Sequence, residues 1–113
     1  MKNSFARLNT FFATEQIYIA DTVLFETEWV LRFAYQFKPD AIHKALTRLL
    51  GLPNVHINNP ENLYKALLLY KQGLDFADAI HLMANIRQDA FCTFDQAFIK
   101  RAKGLTDCPV REP

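Results

Sequence analysis

The chain has 113 residues, half of them hydrophobic and only three glycine, with a formal charge of +1. That composition excludes a disordered or fibrous protein and fits one domain, residues 1–113, around a single core. The balanced charge gives no global case for nucleic-acid binding, no apolar run approaches the ~20 residues needed to span a bilayer, and Met1–Arg7 lacks the apolar core of a signal peptide.

Two cysteines, Cys92 and Cys108, stand in no zinc-like spacing, and nothing suggests secretion. The expectation is a cytoplasmic protein with reduced thiols. Along the chain, apolar residues at 5, 8, 11 and 12 predict a helix over residues 3–14. Ile17-Tyr18-Ile19-Ala20 is short, branched and aromatic, and predicts a strand. Asp21 or Thr22 then caps a helix to about Phe37, with Val23, Val30, Phe33 and Phe37 expected on its core face.

Pro39 suits the first turn of a helix over 39–50 that Gly51 ends, with an apolar stripe of Ile42, Ala45, Leu46, Leu49 and Leu50. A strand over 53–57 follows, then a helix from Asn59-Pro60 to about Gln72, stopped at Gly73. A further helix runs from Asp75 to about Ile86, a strand covers 90–93, and a basic helix covers 96–103 before Gly104. Residues 108–111 add a last strand. Short strands separated by helical segments predict an α/β domain with a mainly parallel sheet. Ligands in such folds lie beyond the carboxyl ends of the strands, where Asp95 falls.

The stretch Gly73-Leu74-Asp75-Phe76-Ala77-Asp78-Ala79-Ile80-His81-Leu82 puts two carboxylates three residues apart at the start of a largely apolar helix. Phe91-Cys92-Thr93-Phe94-Asp95 ends on a third. Asp75 reads first as a helix cap, and Asp95 has the same structural role open to it. Asp78 either favours the helix dipole or serves chemistry, given Leu74, Ala79 and Leu82 around it. His81, three residues on, is placed for a local hydrogen bond. Glu28 has Arg32 four residues later, the favourable order for a solvent-exposed ion pair. Glu26 falls on the apolar stripe with no cation of its own, which leaves structure and function evenly matched.

No serine or cysteine nucleophile sits beside a base motif, and no glycine loop is shaped for phosphate. What remains is an acidic set of Glu26, Asp78 and Asp95, with Asp75 nearby and Thr93 able to donate to a carboxylate or phosphate. Oxygen-only ligands suit Mg²⁺ or Mn²⁺ and phosphodiester hydrolysis. Lys100, Arg101, Lys103 and Arg111 crowd the end of the chain, either as a phosphate-contacting edge or as a solvated helix face.

At these residues the chain resembles a PIN-domain protein, specifically the VapC-type toxins of bacterial toxin–antitoxin pairs. The motifs are Val23-Leu24-Phe25-Glu26-Thr27-Glu28-Trp29-Val30-Leu31-Arg32, the Gly73–Leu82 stretch, and Thr93-Phe94-Asp95-Gln96-Ala97-Phe98, in matching order and spacing. The resemblance implies a PIN-like α/β/α sandwich and a Mg²⁺- or Mn²⁺-dependent ribonuclease. Glu26, Asp78 and Asp95 would be its catalytic metal ligands, supported by Asp75 and Thr93, with Lys100 and Arg101 on the RNA. It further implies an antitoxin partner and a homodimer, while the lack of a long apolar run gives the expectation of no membrane association.

One departure stands out. The family opens on a strand ending in Asp-Thr-Asn-like residues whose Asp is a central ligand, and this chain begins past it. The expectation is therefore a PIN-like domain truncated at its N-terminus by about 20 residues or more, a strand and a helix. Ile19-Ala20-Asp21-Thr22 imitates the missing motif but would throw Glu26 and Trp29 out of register. The competing expectation is a catalytically inactive remnant that serves as a partner-binding or dimerisation module.

Overall fold

Strands of two or three residues cannot hold a domain together, so each needs a parallel neighbour and a helical crossover to reach it. The computed structural model describes residues 15–113, and the helix expected over 3–14 lies outside the described residues. In chain order the elements are β1 (Ile17–Ile19), α1 (Asp21–Phe33), α2 (Pro39–Leu50), β2 (Val55–Ile57), α3 (Pro60–Lys71), α4 (Phe76–Ala84), β3 (Phe91–Cys92), α5 (Gln96–Ala102) and β4 (Val110–Arg111). The α/β class and the parallel pairing follow the expectation. Among the described residues, however, the strands form two separate pairs, β1 with β2 and β3 with β4, in place of one sheet. Strands this short present few backbone groups to a third neighbour.

The chain divides into two compact units, one ending at Pro60 and the other covering Glu61–Pro113. In the first, β1 and β2 pair with Ile17 opposite Val55 and Ile19 opposite Ile57. Asn54 latches this pair: its carbonyl accepts from the Ile17 amide at 2.8 Å, and its buried side chain donates to the Glu15 carbonyl at 2.7 Å. Pro39 opens α2 as predicted, because the extended Lys38 before it (φ −80°, ψ 157°) is the conformation a following proline imposes. The buried face of α2 is the i, i+4 row Ile42, Leu46 and Leu50. Gly51 closes it at φ −81°, so no left-handed turn is used there.

The core face expected for α1 is corrected. Val23, Phe33 and Phe37 are exposed at 47%, 57% and 44%, whereas Leu24 and Glu28 are buried. This helix is apolar around most of its circumference, and periodicity alone does not choose between two adjacent stripes. It also stops at Phe33, short of the expected Phe37. The Phe37 amide turns back to the Leu31 carbonyl at 2.9 Å, with Gln36 at φ 56°, so that Lys38 can be extended before Pro39. The Glu28–Arg32 pair forms as expected, but Glu28 is only 3% exposed. Arg32 Nε lies 3.0 Å from one carboxylate oxygen, and the aligned bond is donated by Nη2 to the other at 3.3 Å.

The second unit packs Leu69, Leu74, Leu82, Met83, Phe98 and Cys108 into one buried cluster, with Phe91 and Val110 of the strand pair against it. Phe91 sits opposite Val110 and Cys92 opposite Arg111. Gly73 ends the α3 region at φ 109°, and the Leu74 amide bonds back to the Leu69 carbonyl at 3.1 Å. A Cβ at Gly73 would meet nothing within 4 Å, so the demand for glycine is conformational. Cys92 and Cys108 are both free thiols, and among the described residues no helix is long and apolar enough to cross a membrane.

The Arg32→Ala variant leaves the buried Glu28 carboxylate short of its neighbouring charge. We expect a loss of about 2 kcal/mol, below the range for a completely buried pair because the arginine reaches solvent. Adding Glu28→Gln recovers most of it, and urea unfolding of the parent, both single variants and the double variant measures the coupling.

Candidate functional site

Helix α4 starts where the left-handed Gly73 redirects the chain. Leu74 is buried and Asp75 takes the extended cap position (φ −57°, ψ 143°). The Asp75 Oδ2 accepts from the Asp78 amide at 3.4 Å, a long cap bond that still orients the carboxylate over the first turn. Asp78 stands four residues from Leu74 and four from Leu82, both buried, so the apolar side of α4 draws its carboxyl partly out of water. Asp78 is accordingly half-buried.

The third carboxylate arrives from the β3–α5 turn. The Thr93 amide donates to the Arg111 carbonyl at 3.0 Å, extending the ladder one residue beyond β3. Thr93 Oγ1 then accepts from the Asp95 amide at 3.1 Å, and Asp95 Oδ1 accepts from the Phe98 amide at 3.1 Å. Phe98 is in the core, which ties the position of Asp95 to the packing of the unit. Both capping roles foreseen for Asp75 and Asp95 are present.

These elements bring Asp75 and Asp95 each within electrostatic reach of Asp78. Burial, followed by the negative charges of Asp75 and Asp95, pushes the Asp78 carboxyl up from 3.8 to about 6. His81 and Arg101 work in the opposite direction and do not offset it. A carboxyl in this state both attracts a cation and exchanges a proton close to neutral pH.

Glu26 is exposed on α1 of the first unit, and Asp21 is half-buried in the first turn of that helix. Lys100 and Arg101 are exposed in the last turn of α5. Among the described residues no group of three or more His, Cys, Asp or Glu side chains is gathered so that it could hold a metal ion. The buried carboxylate of α1, Glu28, belongs to the ion pair described above; its four-residue spacing to Arg32 pointed to the pair, and nothing in the pattern pointed to its burial. The influence of Arg101 on Asp78 had no signal in the sequence, because it depends on how α5 packs beside α4. Phe94, between Thr93 and Asp95, is 79% exposed.

No protein-family model, no curated protein and no solved structure matches the chain.

Because the folded chain holds the Asp78 proton more tightly than the unfolded chain, its contribution favours folding most below about pH 4 and declines as pH rises through about 6. Asp78→Asn removes that decline. The variant should have a higher Tm than the parent at pH 7 and a flatter Tm profile between pH 4 and 7, measured by thermal unfolding monitored by circular dichroism.

Proposed function

We propose that the chain is a PIN-like ribonuclease that hydrolyses RNA phosphodiesters with Mg²⁺ or Mn²⁺. The observation that carries the proposal is the half-buried Asp78 carboxyl held beside Asp75 and Asp95. Their shared charge is left only partly balanced by His81 and Arg101. The donors are all hard oxygens, which suits these ions in chemistry. They do not make a closed cage, and Mg²⁺ does not require one, since it is commonly held by one or two carboxylates with water and substrate phosphate completing its shell.

Asp78 and Asp95 are the residues that would hold the ion. It would supply positive charge against the phosphodiester and acidify a water molecule. Asp75 keeps the negative potential at Asp78 high, and Thr93 fixes the backbone from which Asp95 projects. Arg101 and Lys100 provide positive charge for flanking phosphates. Asp78, with its raised pKa, is placed to accept or return a proton when its charge is not engaged by a cation. Glu26 enters the ligand set through the family resemblance alone, and so do an antitoxin partner and a homodimer.

A second reading has its own observation in the first unit. Val23, Trp29 and Phe33 are exposed on α1, and Tyr35 and Phe37 follow at 66% and 44%. Apolar exposure on that scale marks an interaction surface, which fits a module that binds a protein partner without chemistry.

Purified protein should cleave RNA with Mg²⁺ or Mn²⁺ and lose that activity on chelation. Asp78→Asn and Asp95→Asn should each lower the rate by about 100-fold or more. Asparagine caps a helix as well as aspartate, so Asp95→Asn removes charge while keeping the fold. Gel-resolved cleavage of labelled RNA measures this, and Glu26→Gln tests the ligand taken from the resemblance. Cleavage that persists through chelation and both aspartate substitutions would reject the proposal.

A further inference from the structure

Three phenylalanines fall within eight residues at the β3–α5 turn, and they are treated differently. Phe91 and Phe98 pack together with ring centroids 5.3 Å apart, and both belong to or lie against the buried cluster. Phe94 is 79% exposed, the highest value among the large hydrophobic residues described. A single surface aromatic is ordinary in itself. What sets this one apart is the framework on either side of it. Thr93 is bonded to the Arg111 carbonyl, Asp95 is bonded to Thr93 Oγ1, and Asp95 is fastened to the amide of buried Phe98. The ring therefore projects from a backbone that is bonded on both sides, next to a carboxylate of the proposed reaction centre.

Its charged surroundings select among partners. Lys100, Arg101 and Lys103 follow on α5 and just beyond it, all exposed, and among the described residues none of them forms an ion pair. Lys100 and Arg101, in the last turn of α5, lie within roughly 14 Å of Phe94 by the rise of the two extended residues before the helix and of the helix itself. An outward aromatic face with cations along the same short helix is how proteins hold single-stranded nucleic acid: the ring stacks on a base while the cations follow the phosphates.

We infer that Phe94 is a base-stacking residue that holds a nucleotide of single-stranded RNA beside Asp95, with Lys100 and Arg101 on the adjoining phosphates. This deepens the ribonuclease proposal and rests on it for the identity of the ligand. The role is positioning: Phe94 sets where along the strand a phosphodiester meets the carboxylates, and it favours unpaired over duplex RNA because a paired base has no face to offer. Stacking uses the π-face that every base possesses, so little preference among the four bases follows from Phe94 itself.

The test is fluorescence anisotropy of a short labelled single-stranded oligoribonucleotide of mixed sequence, titrated with full-length protein carrying Asp78→Asn, which removes turnover and one repelling charge. Adding Phe94→Ala should weaken binding about 10-fold. Phe94→Trp should restore it, and Phe94→Leu, apolar but without a π-face, should not. On an oligonucleotide of abasic residues the Phe94→Ala effect should vanish, and a duplex of the same sequence should bind more weakly than the single strand. Unchanged single-strand binding in Phe94→Ala would overturn the inference and leave the ring to a protein contact. Rescue by leucine equal to that by tryptophan, or no single-strand binding at all, would overturn it too. Cleavage by the parent protein is measured separately. Phe94-dependent binding without metal-dependent cleavage would sink the ribonuclease proposal alone, and cleavage indifferent to Phe94 would sink the stacking alone.

Discussion

Two carboxylates, each giving an oxygen to the first amides of a helix, constrain everything the second unit can do chemically. An α-helix begins with amides that have no partner of their own, and Asp75 and Asp95 supply one for α4 and α5. A side chain engaged in a cap cannot swing freely into solvent. The negative charges of both residues are therefore kept near Asp78 by the same bonds that start the helices. Capping and function are not alternatives at these positions, because the cap is what holds the charge in place.

Two acids on apolar helix faces show what this arrangement leaves open. Glu28 is buried on α1, and the helix provides its cation four residues later in Arg32. Its charge is balanced within one turn, so it belongs to the architecture of the first unit. Asp78 is less buried, yet its carboxyl is pushed up to about 6 because its nearest influences include two more acids, and His81 and Arg101 compensate only in part. A protein tolerates such a local cost where something outside the chain relieves it. Protonation does so by removing the charge, and the hard cation of the proposed function would do so by binding the oxygen donors.

Much of this was legible in the sequence where a residue has one strong conformational or chemical preference. Pro39 set the start of α2, Gly73 the left-handed end of the α3 region, and Asp75 and Asp95 the first turns of the next helices, each at the expected place. Asp78 in the first turn of α4 and Asp95 at the start of α5 fall at element ends that those signals define, whereas Glu26 of the expected set lies on α1 of the first unit. The buried face of α1 was not legible. A helix carrying Val23, Leu24, Phe25, Trp29, Val30, Leu31 and Phe33 offers apolar stripes in several directions, and only packing selects Leu24 and Glu28. The strand lengths were overestimated for a related reason. The branched and aromatic residues that favour strands extend past the few that find a pairing partner.

The leftover aromatic surface falls into two kinds, distinguished by what the neighbouring cations are doing. Trp29 and Phe33 on α1 contact each other at 5.4 Å between centroids, and the guanidinium over the Phe33 ring at 4.6 Å is that of Arg32, already committed to Glu28. Such a face is apolar and close to charge-neutral, the composition found at the centre of protein–protein contacts. Around α5, Phe94 precedes the helix and Lys100, Arg101 and Lys103 follow toward its end with no ion pair among the described residues, a composition suited to phosphate and base together. The distinction lies in the charge of the residues around each surface as well as in the number of rings. On that basis the exposed rings of α1 fit the protein-binding reading, and Phe94 fits the single-stranded RNA of the proposed function.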